Sequence, residues 1–214
     1  MFDLDPSLGT AARPLRVVCV GAHADDLEIG AGGTVRRLLA ERRCDVTWAV
    51  LTGDGARAGE ARAAADDWLA DAASATVRLG RFRDGYLPAE RAALKDWFRA
   101  ELPTAPDLVL THRRDDAHQD HRTLAELCGE TFRGATLAAY EIPKWDGDLG
   151  RPNAYVRLTD AQAEAKVGAL GRHFPSQHAK PWYDADTFRG LLRLRGVEAG
   201  ARWAEAFACA KLVW

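Results

Sequence analysis

The amino-acid sequence predicts an α/β protein: a Rossmann-like three-layer α/β/α sandwich with a mostly parallel sheet. Short apolar runs rich in β-branched residues alternate with longer segments in which apolar residues recur at helical spacing. Glycine-containing turns follow the first two apolar runs, as expected where parallel strands turn back into crossover helices. Such an alternation gives right-handed connections, with helices on both faces of the sheet.

The first strand is expected over residues 15–20, an apolar run typical of a strand that is buried on both faces of a parallel sheet. The glycine-rich segment at residues 30–34 is interpreted as the turn that opens a helix over residues 35–42. Further strands are predicted over residues 45–52, 76–80, 107–112 and 135–142, and further helices over residues 58–73, 90–102 and 123–132. A polar, glycine-rich segment at residues 143–152 interrupts this order.

The composition indicates one enzyme-sized domain over residues 1–214, because a chain of 23.4 kDa can bury one sizeable core. A net charge of −2 argues against nucleic acid as a partner, and the absence of a long apolar run argues against a membrane span. Residues 1–13 contain no apolar core of a signal peptide, and the four cysteines show no paired spacing. We therefore expect a cytoplasmic protein with free thiols, and the sequence leaves a homo-oligomer open.

A histidine and two aspartates follow the first predicted strand: His23, Asp25 and Asp26. In open α/β sheets, ligands bind beyond the carboxyl ends of the strands, so these side chains lie where chemistry is expected. Adjacent aspartates at a strand end point in different directions, so one can bind a metal ion while the other faces a substrate. The alternative is structural, because aspartates before a helix commonly cap its N-terminus and contribute about 1 kcal/mol.

A second cluster, His118, Asp120 and His121, follows the predicted strand at residues 107–112. The carboxyl ends of parallel strands meet at one edge of a sheet, so we expect both clusters to converge there. Two histidines and one carboxylate leave an open fourth coordination position, which is the pattern of catalytic rather than structural zinc. The two clusters together therefore predict a zinc site.

At these residues the chain resembles the PIG-L/LmbE-like family of zinc-dependent N-acetylglucosaminide deacetylases. The family motif A-H-P-D-D-x-E and the G-G-T after it correspond to residues 22–28 and 32–34, and the motif H-P-D-H corresponds to residues 118–121. Weaker correspondences are R-x-x-E-A at residues 57–61, D-G at residues 84–85, and R-G-x-x-x-G-x-x-x-A-E-A-F at residues 195–207. Ala24 and Gln119 replace the motif prolines, and the resemblance covers nearly the whole chain in family order.

The resemblance implies a role for each reactive side chain. It implies that His23, Asp26 and His121 hold the zinc ion. Asp25 is then the general base that takes a proton from water. We expect a cationic His118 to stabilise the oxyanion or protonate the leaving amine, with a raised pKa because Asp120 holds it charged. The alternative role of Asp120 is to cap the helix.

The expected substrate is a small amino sugar, and three further residues are candidates for binding it. Arg57 is expected to hold a sugar hydroxyl, with an ion pair to Glu60 as the alternative. Asp84 lies in the D-G element, and Trp145 is expected either to form a wall of the sugar pocket or to pack down in a surface turn. Residues 174–178 and 181–183 are candidates for the opposite rim.

The predicted function is removal of the acetyl group from an N-acetylamino sugar, within a glycoside, a nucleotide sugar or a natural product. One alternative is a deacylase that acts on a non-sugar amide, and another is a metal-free binding module on the same scaffold. Some family members carry a tyrosine two residues before the second motif, where this chain has Asp116. The resemblance therefore does not supply a tyrosine that polarises the substrate carbonyl.

Overall fold

The structure is a computed structural model that describes residues 13–210, and it confirms the predicted α/β class. The strands are β1 (Leu15–Gly21), β2 (Cys44–Thr52), β3 (Ser74–Phe82), β4 (Leu108–His112), β5 (Thr136–Tyr140), β6 (Ala154–Leu158) and β7 (Trp203–Cys209). The helices are α1 (Asp26–Glu41), α2 (Gly55–Trp68), α3 (Arg91–Glu101), α4 (Gln119–Thr131), α5 (Asp160–His173) and α6 (Ala185–Glu198), and a short 3-10 helix covers Pro175–Gln177.

The seven strands form one sheet in the order β3-β2-β1-β4-β5-β7-β6. The strands from β3 to β5 in this order pair in parallel, whereas β7 runs antiparallel to both β5 and β6. From β1 the chain adds β2 and then β3 towards one edge of the sheet, and from β4 onwards it adds strands towards the other edge. The strand order therefore reverses between β1 and β4, and open α/β sheets bind their ligands at such a point.

Alternating side chains of β1 supply the two halves of the core. Val17 and Cys19 pack into the larger cluster, which includes buried residues of α1, α2, α5 and α6. Val18 and Val20 point to the other face and pack with buried residues of α3 and α4. The apolar run at residues 17–20 of β1 is thus buried on both faces, as predicted for a parallel sheet covered by two helical layers.

The turn predicted at residues 30–34 is wrong, because this segment lies inside α1. Its glycines allow close packing: a Cβ atom at Gly30 would overlap the ring of Tyr140, and one at Gly32 would lie 2.6 Å from Nε1 of Trp68. Glycine lowers helix propensity, so a run of glycines looks like a turn when the packing partners are unknown. As a result α1 begins at Asp26, directly after the first cluster, and not at residue 35.

Two other parts of the chain also differ from the prediction. α4 begins at Gln119 rather than at residue 123, so Asp120 and His121 lie in its first turn. No element was predicted beyond residue 142, and the structure places β6, α5, α6 and β7 there. The pair β6 and β7 extends the sheet with antiparallel strands beyond β5.

A buried ion pair connects β7 to α1. The carboxylate of Glu205 accepts hydrogen bonds from the backbone N–H groups of Gly33 and Thr34, at 2.8 and 2.6 Å. Lys166 of α5 donates through Nζ to Glu205 and to the carbonyl oxygen of Ile29, each at 2.5 Å. Removing one partner of such a buried pair typically costs about 3–5 kcal/mol. The pair therefore holds the helix that carries Asp26 against the sheet.

Within residues 13–210, none of the helices is both long enough and apolar enough to cross a membrane. The expectation that residues 1–13 form no signal peptide concerns a segment that, apart from Arg13, lies outside the described residues.

Candidate metal and catalytic site

The two predicted clusters lie together at the carboxyl ends of β1 and β4. These strands are parallel neighbours, so the segments that follow them meet at the same edge of the sheet. Residues 23–26 of the first segment, and His118 and His121 of the second, line one cavity of about 1300 Å³. The cavity extends beneath the end of β3 and along α2, and Trp145 lies on its rim.

Three atoms of the predicted ligands form a small triangle in this cavity. His23 Nδ1 lies 3.2 Å from His121 Nε2 and 3.3 Å from Asp26 Oδ2, and His121 Nε2 lies 3.5 Å from Asp26 Oδ2. A tetrahedral zinc ion with bonds of about 2.0–2.1 Å places its ligand atoms about 3.3–3.4 Å apart. The donor types and their spacing therefore fit a divalent metal ion.

The outer nitrogen of each histidine in the triangle faces a carboxylate. His121 Nδ1 lies 2.9 Å from Asp116 Oδ2, and His23 Nε2 lies 3.1 Å from Asp84 Oδ1 and 3.3 Å from Asp120 Oδ2. A carboxylate in this position keeps the proton on the outer nitrogen and leaves the inner one free to bind a metal ion. The tautomers thus favour His23 Nδ1 and His121 Nε2 as metal-binding atoms.

The same carboxylates determine the charge of the two imidazoles. Burial by itself lowers the pKa of His23, but Asp26 and the hydrogen-bonded carboxylates outweigh it and raise the pKa well above its ordinary value. Burial likewise opposes protonation of His121, and Asp26 and Asp116 raise its pKa. Protons therefore compete with a metal ion for the inner nitrogens of both rings, so metal binding should weaken as the pH falls.

Other side chains near the triangle are less suited to bind a metal ion. Besides the triangle, three overlapping groups of described residues bring possible ligand atoms within 4.8 Å of one another: His23, His118 and His121; Asp26, His112 and His121; and His23, Asp84 and Asp120. In the second group, His112 Nε2 already accepts the backbone N–H of Ala22 at 3.0 Å. In the third group, both oxygens of Asp120 accept backbone N–H groups. The triangle uses neither His112 nor Asp120, and its own Asp26 Oδ2 accepts one backbone N–H, that of His23 at 2.7 Å.

Asp25 lies beside the triangle with a strained backbone. Its φ angle is 103° and its ψ angle is −24°, and it is the only described residue other than glycine with a positive φ. Although Asp25 occupies the N-cap position of α1, its side chain makes no capping hydrogen bond. The structure therefore does not support the capping alternative for Asp25, and strain of this kind is common at functional sites. The side chain is buried but lines the cavity.

Arg57 contacts Asp25 rather than standing free for a sugar hydroxyl. Its Nη2 lies 3.1 Å from Asp25 Oδ2 and also donates to the carbonyl oxygen of Ala24. Its Nη1 donates to Glu60 Oε2 at 2.9 Å, so the ion pair that was the alternative is present. Burial raises the pKa of Asp25 to about 7, and Arg57 opposes that shift. Arg57 is thus placed to orient Asp25, and because it also lines the cavity its contact with a sugar hydroxyl stays a prediction.

The expected raised pKa of His118 is wrong for this structure. Burial, together with the positive charges of His121 and His23, lowers the pKa of His118 to about 4. Its Nδ1 accepts a hydrogen bond from the backbone N–H of Asp120 at 3.2 Å. His118 is therefore a neutral imidazole that carries its proton on Nε2, and it lines the cavity as a hydrogen-bond donor.

The carboxylate of Asp120 does not hold His118 as expected. Its Oδ2 accepts the backbone N–H of Gly85 at 2.7 Å, and its Oδ1 accepts that of Leu87 at 3.1 Å. The same Oδ2 lies near His23 Nε2. Asp120 thus joins the loop after β3 to the first cluster, and the prediction failed because that loop is remote in sequence.

The two predicted binding residues at the rim, Asp84 and Trp145, both line the cavity. The Asp84 side chain is 74% exposed although one oxygen contacts His23. Trp145 is 70% exposed, so it does not pack down, and its ring lies edge-on to Trp182 with 6.1 Å between centroids. Gln177 and Trp182, from the predicted opposite rim, also line the cavity. A half-open aromatic rim of this kind suits a sugar face.

Three buried residues around the triangle have no site role in the sequence prediction, although His112 was expected to be buried at the end of its strand. Asp116 was noted only as the replacement for a tyrosine, but it holds His121. The His112 ring stacks on the His121 ring with 3.8 Å between centroids, and burial lowers its pKa to about 4. Glu28 is buried without a hydrogen-bond partner for either carboxylate oxygen among the described residues, and burial raises its pKa to about 8. Only Glu28 had a sequence signal, its place at the end of the first motif.

We expect Asp116→Ala to weaken metal binding by about 10- to 100-fold, the usual effect of removing a carboxylate that orients a metal-bound histidine. The affinity is measured by competition with a chelating dye. Asp115→Asn is the matched control, because Asp115 is the neighbouring acid, contacts Arg113 and is 76% exposed. An affinity that is equal in both variants and in the parent protein would contradict the role assigned to Asp116.

The chain is similar to known proteins in both sequence and structure. The family model PIG-L, described as GlcNAc-PI de-N-acetylase, matches residues 18–132. The N,N'-diacetylchitobiose deacetylase from Pyrococcus horikoshii has a similar structure, with a TM-score of 0.68 and 22% identity over 91% of this chain and 83% of that one.

Two further solved structures share the fold. The conserved protein TT1542 from Thermus thermophilus has a TM-score of 0.71 and 25% identity, over 94% of this chain and 96% of that one. GalB, the 4-carboxy-2-hydroxymuconate hydratase from Pseudomonas putida, has a TM-score of 0.70 and 19% identity, over 94% of this chain and 98% of that one. The neighbours include a deacetylase and a hydratase, so the shared fold alone does not determine which reaction a protein of this fold catalyses.

Proposed function

Because the chain belongs to the PIG-L family, we propose that it is a zinc-dependent hydrolase that removes the acetyl group from an N-acetylamino sugar. The observation that carries this proposal is the triangle of His23 Nδ1, Asp26 Oδ2 and His121 Nε2, with Asp25 beside it in an open cavity. This set combines three possible metal ligands with one carboxylate, that of Asp25, which lies outside the triangle and can act as a base.

His23, Asp26 and His121 would hold the metal ion. When bound, a divalent ion supplies a Lewis acid that lowers the pKa of water and stabilises negative charge on a carbonyl oxygen. The hard and borderline donors of this set, two imidazoles and one carboxylate, are those of catalytic zinc sites, which leave one position open.

Asp25 would carry out the proton transfers, and His118 would polarise the carbonyl group of the substrate. Asp25 takes a proton from water as the water oxygen attacks the amide carbon, and it then returns a proton to the nitrogen as the C–N bond breaks. The products are acetate and the free amine. His118 donates from Nε2 to the oxygen of the carbonyl group, where negative charge develops. Arg57 keeps Asp25 in place through their ion pair.

The rim residues would hold the sugar. Trp145 and Trp182 offer ring faces on which the C–H surface of a pyranose stacks. Asp84 offers its outer oxygen to a hydroxyl group while the other oxygen contacts His23. Asp120 lies behind His23 and acts by positioning, since its oxygens are engaged with backbone N–H groups.

A screen for acetate release tests the proposal. The zinc-loaded protein is incubated with N-acetylamino sugars, their glycosides and nucleotide sugars, and with N-acetylated amines that contain no sugar. We expect acetate release from at least one sugar class, and its loss after treatment with a chelator and recovery with zinc. Release only from the non-sugar amines would overturn the sugar assignment. Stoichiometric binding without release from any amide would instead indicate a binding module.

A further inference from the structure

The cavity is larger than the proposed sugar and metal site require. Pockets for small ligands usually measure about 300–1,000 Å³, and this one is about 1300 Å³. It extends from the triangle across β2 to the end of β3, two strands away from β1. Neighbouring strands lie about 4.8 Å apart, so the far end is about 10 Å from the triangle. The substrate therefore has room for a second group beyond the sugar.

The far end of the cavity is lined by cationic side chains that have no acidic partner. Arg62 on α2 and Arg81 on β3 line it, and neither makes an ion pair or side-chain hydrogen bond with any residue in the range 13–210. Arg83 and Lys180 also line the cavity, but their charged groups lie over aromatic rings, those of Tyr86 and Trp182. Both unpaired arginines are exposed, so their guanidinium groups are available to a ligand.

The acidic residues of the cavity do not neutralise these cations. Asp25 pairs with Arg57, Asp26 and Asp84 contact His23, and Asp146 lies 3.7 Å from Lys144. Asp54, at the start of α2, is the one lining carboxylate that remains without such a partner in the described chain. Four cations that line the cavity, Arg62, Arg81, Arg83 and Lys180, thus have no acidic partner among the described residues, against a single unpaired lining carboxylate.

We propose that Arg62 and Arg81 form a subsite for an anionic group, a phosphate or a carboxylate, carried by the substrate beyond its N-acetylamino sugar. The inference deepens the proposed function, because it names the class of conjugate on which the same site acts. Arginine suits this role, since its planar guanidinium group forms paired hydrogen bonds with either anion. Trp145 and Trp182, which line the same cavity, then contact the sugar.

The test compares three probes: the neutral methyl glycoside of N-acetylglucosamine, N-acetylglucosamine 1-phosphate, and a glycoside of N-acetylglucosamine whose aglycone bears a carboxylate. We expect kcat/KM to be higher for at least one anionic probe than for the neutral one. The preference is the ratio of kcat/KM for an anionic probe to kcat/KM for the neutral probe, and the larger of the two ratios identifies the anion. Arg81→Ala and Arg62→Ala should each lower that ratio by about 10- to 100-fold, the effect of losing a hydrogen bond to a charged group. Arg81→Lys should retain part of the preference for the anionic probe, because it keeps the positive charge.

Arg99→Ala is the matched control, because Arg99 is an arginine of α3 outside the cavity, 69% exposed. The preference should also fall as ionic strength rises, because salt screens exposed charges. A ratio that is unchanged in the Arg62→Ala/Arg81→Ala double variant, or a parent enzyme that prefers the neutral glycoside, overturns the subsite.

Calorimetric titration of the metal-free protein with the same probes separates this inference from the proposed function. If no probe is deacetylated but the anionic ones bind more tightly and lose that advantage in the double variant, the subsite stands and the deacetylase assignment falls. If acetate is released without any preference in rate or binding, the deacetylase stands and the subsite falls.

Discussion

Replacing His121 with alanine is expected to release the metal ion and to lower turnover by about 10³-fold or more, with the fold retained. His121 supplies one of the three atoms of the triangle, and a site with two protein ligands holds zinc poorly. A metal ion contributes several kcal/mol to stabilisation of the charged transition state, which sets the size of the loss. Metal content is measured by mass spectrometry and turnover by acetate release.

Two further variants make this result specific. Asp26→Asn preserves the shape of the side chain and the hydrogen bond from the His23 backbone, yet it should also lose the metal ion because it removes the charge. His178→Ala is the control, since His178 is an exposed histidine outside the cavity whose ring nitrogen contacts the carbonyl oxygen of Gly171. Stoichiometric zinc in His121→Ala would remove that residue from the ligand set.

The second large effect is expected for Asp25→Asn, which should keep the metal ion and lose about 10²–10⁴ in turnover, the usual contribution of a positioned acid–base group. Asparagine is nearly isosteric with aspartate and is one of the residues that tolerates a positive φ, so the strained turn should persist. Asp66→Asn on α2 is the control, because Asp66 is exposed and lies outside the cavity. Loss of zinc in Asp25→Asn would make Asp25 a ligand.

The pH profile provides an independent measure of the same residue. A general base acts only when it is deprotonated, so activity should rise with pH through the pKa of Asp25. Burial raises that pKa to about 7 in the metal-free chain. A neighbouring metal cation favours the carboxylate form, so the rise should lie below about pH 7 in the zinc-loaded enzyme. In Asp25→Asn this rise of activity with pH should disappear. If the rise is unchanged in that variant, it belongs to the titration of another group.

Much of the central sheet could be predicted because its strands have a strong local signal. The strands from β1 to β5 begin and end within about two residues of their predicted bounds, and β1, β2 and β4 each contain an uninterrupted apolar run. The start of α1 was wrong because the fit of Gly30 against Tyr140 depends on a strand that is remote in sequence. The antiparallel strands β6 and β7 contain charged residues, Arg157 and Glu205, so their apolar pattern is interrupted.

The site shows the same division between local and remote contacts. The convergence of His23 and His121 follows from the order of parallel strands, which a sequence pattern can predict. The hydrogen bonds of Asp120 with Gly85 and Leu87 depend on how a loop after β3 crosses the sheet edge. The neutral state of His118 depends on the local dielectric environment and on two neighbouring cations, neither of which its sequence motif encodes.

The contact between Glu205 and α1 has a consequence for the order in which the protein assembles. Glu205 is 172 residues from Gly33, and contacts of such separation form late in folding because a long loop must close first. A nascent chain that has reached residue 121 already contains His23, Asp26 and His121, but it lacks the strand that fixes the helix behind them. We therefore expect the chain to become able to take up a metal ion only after β7 has been synthesised and has entered the sheet.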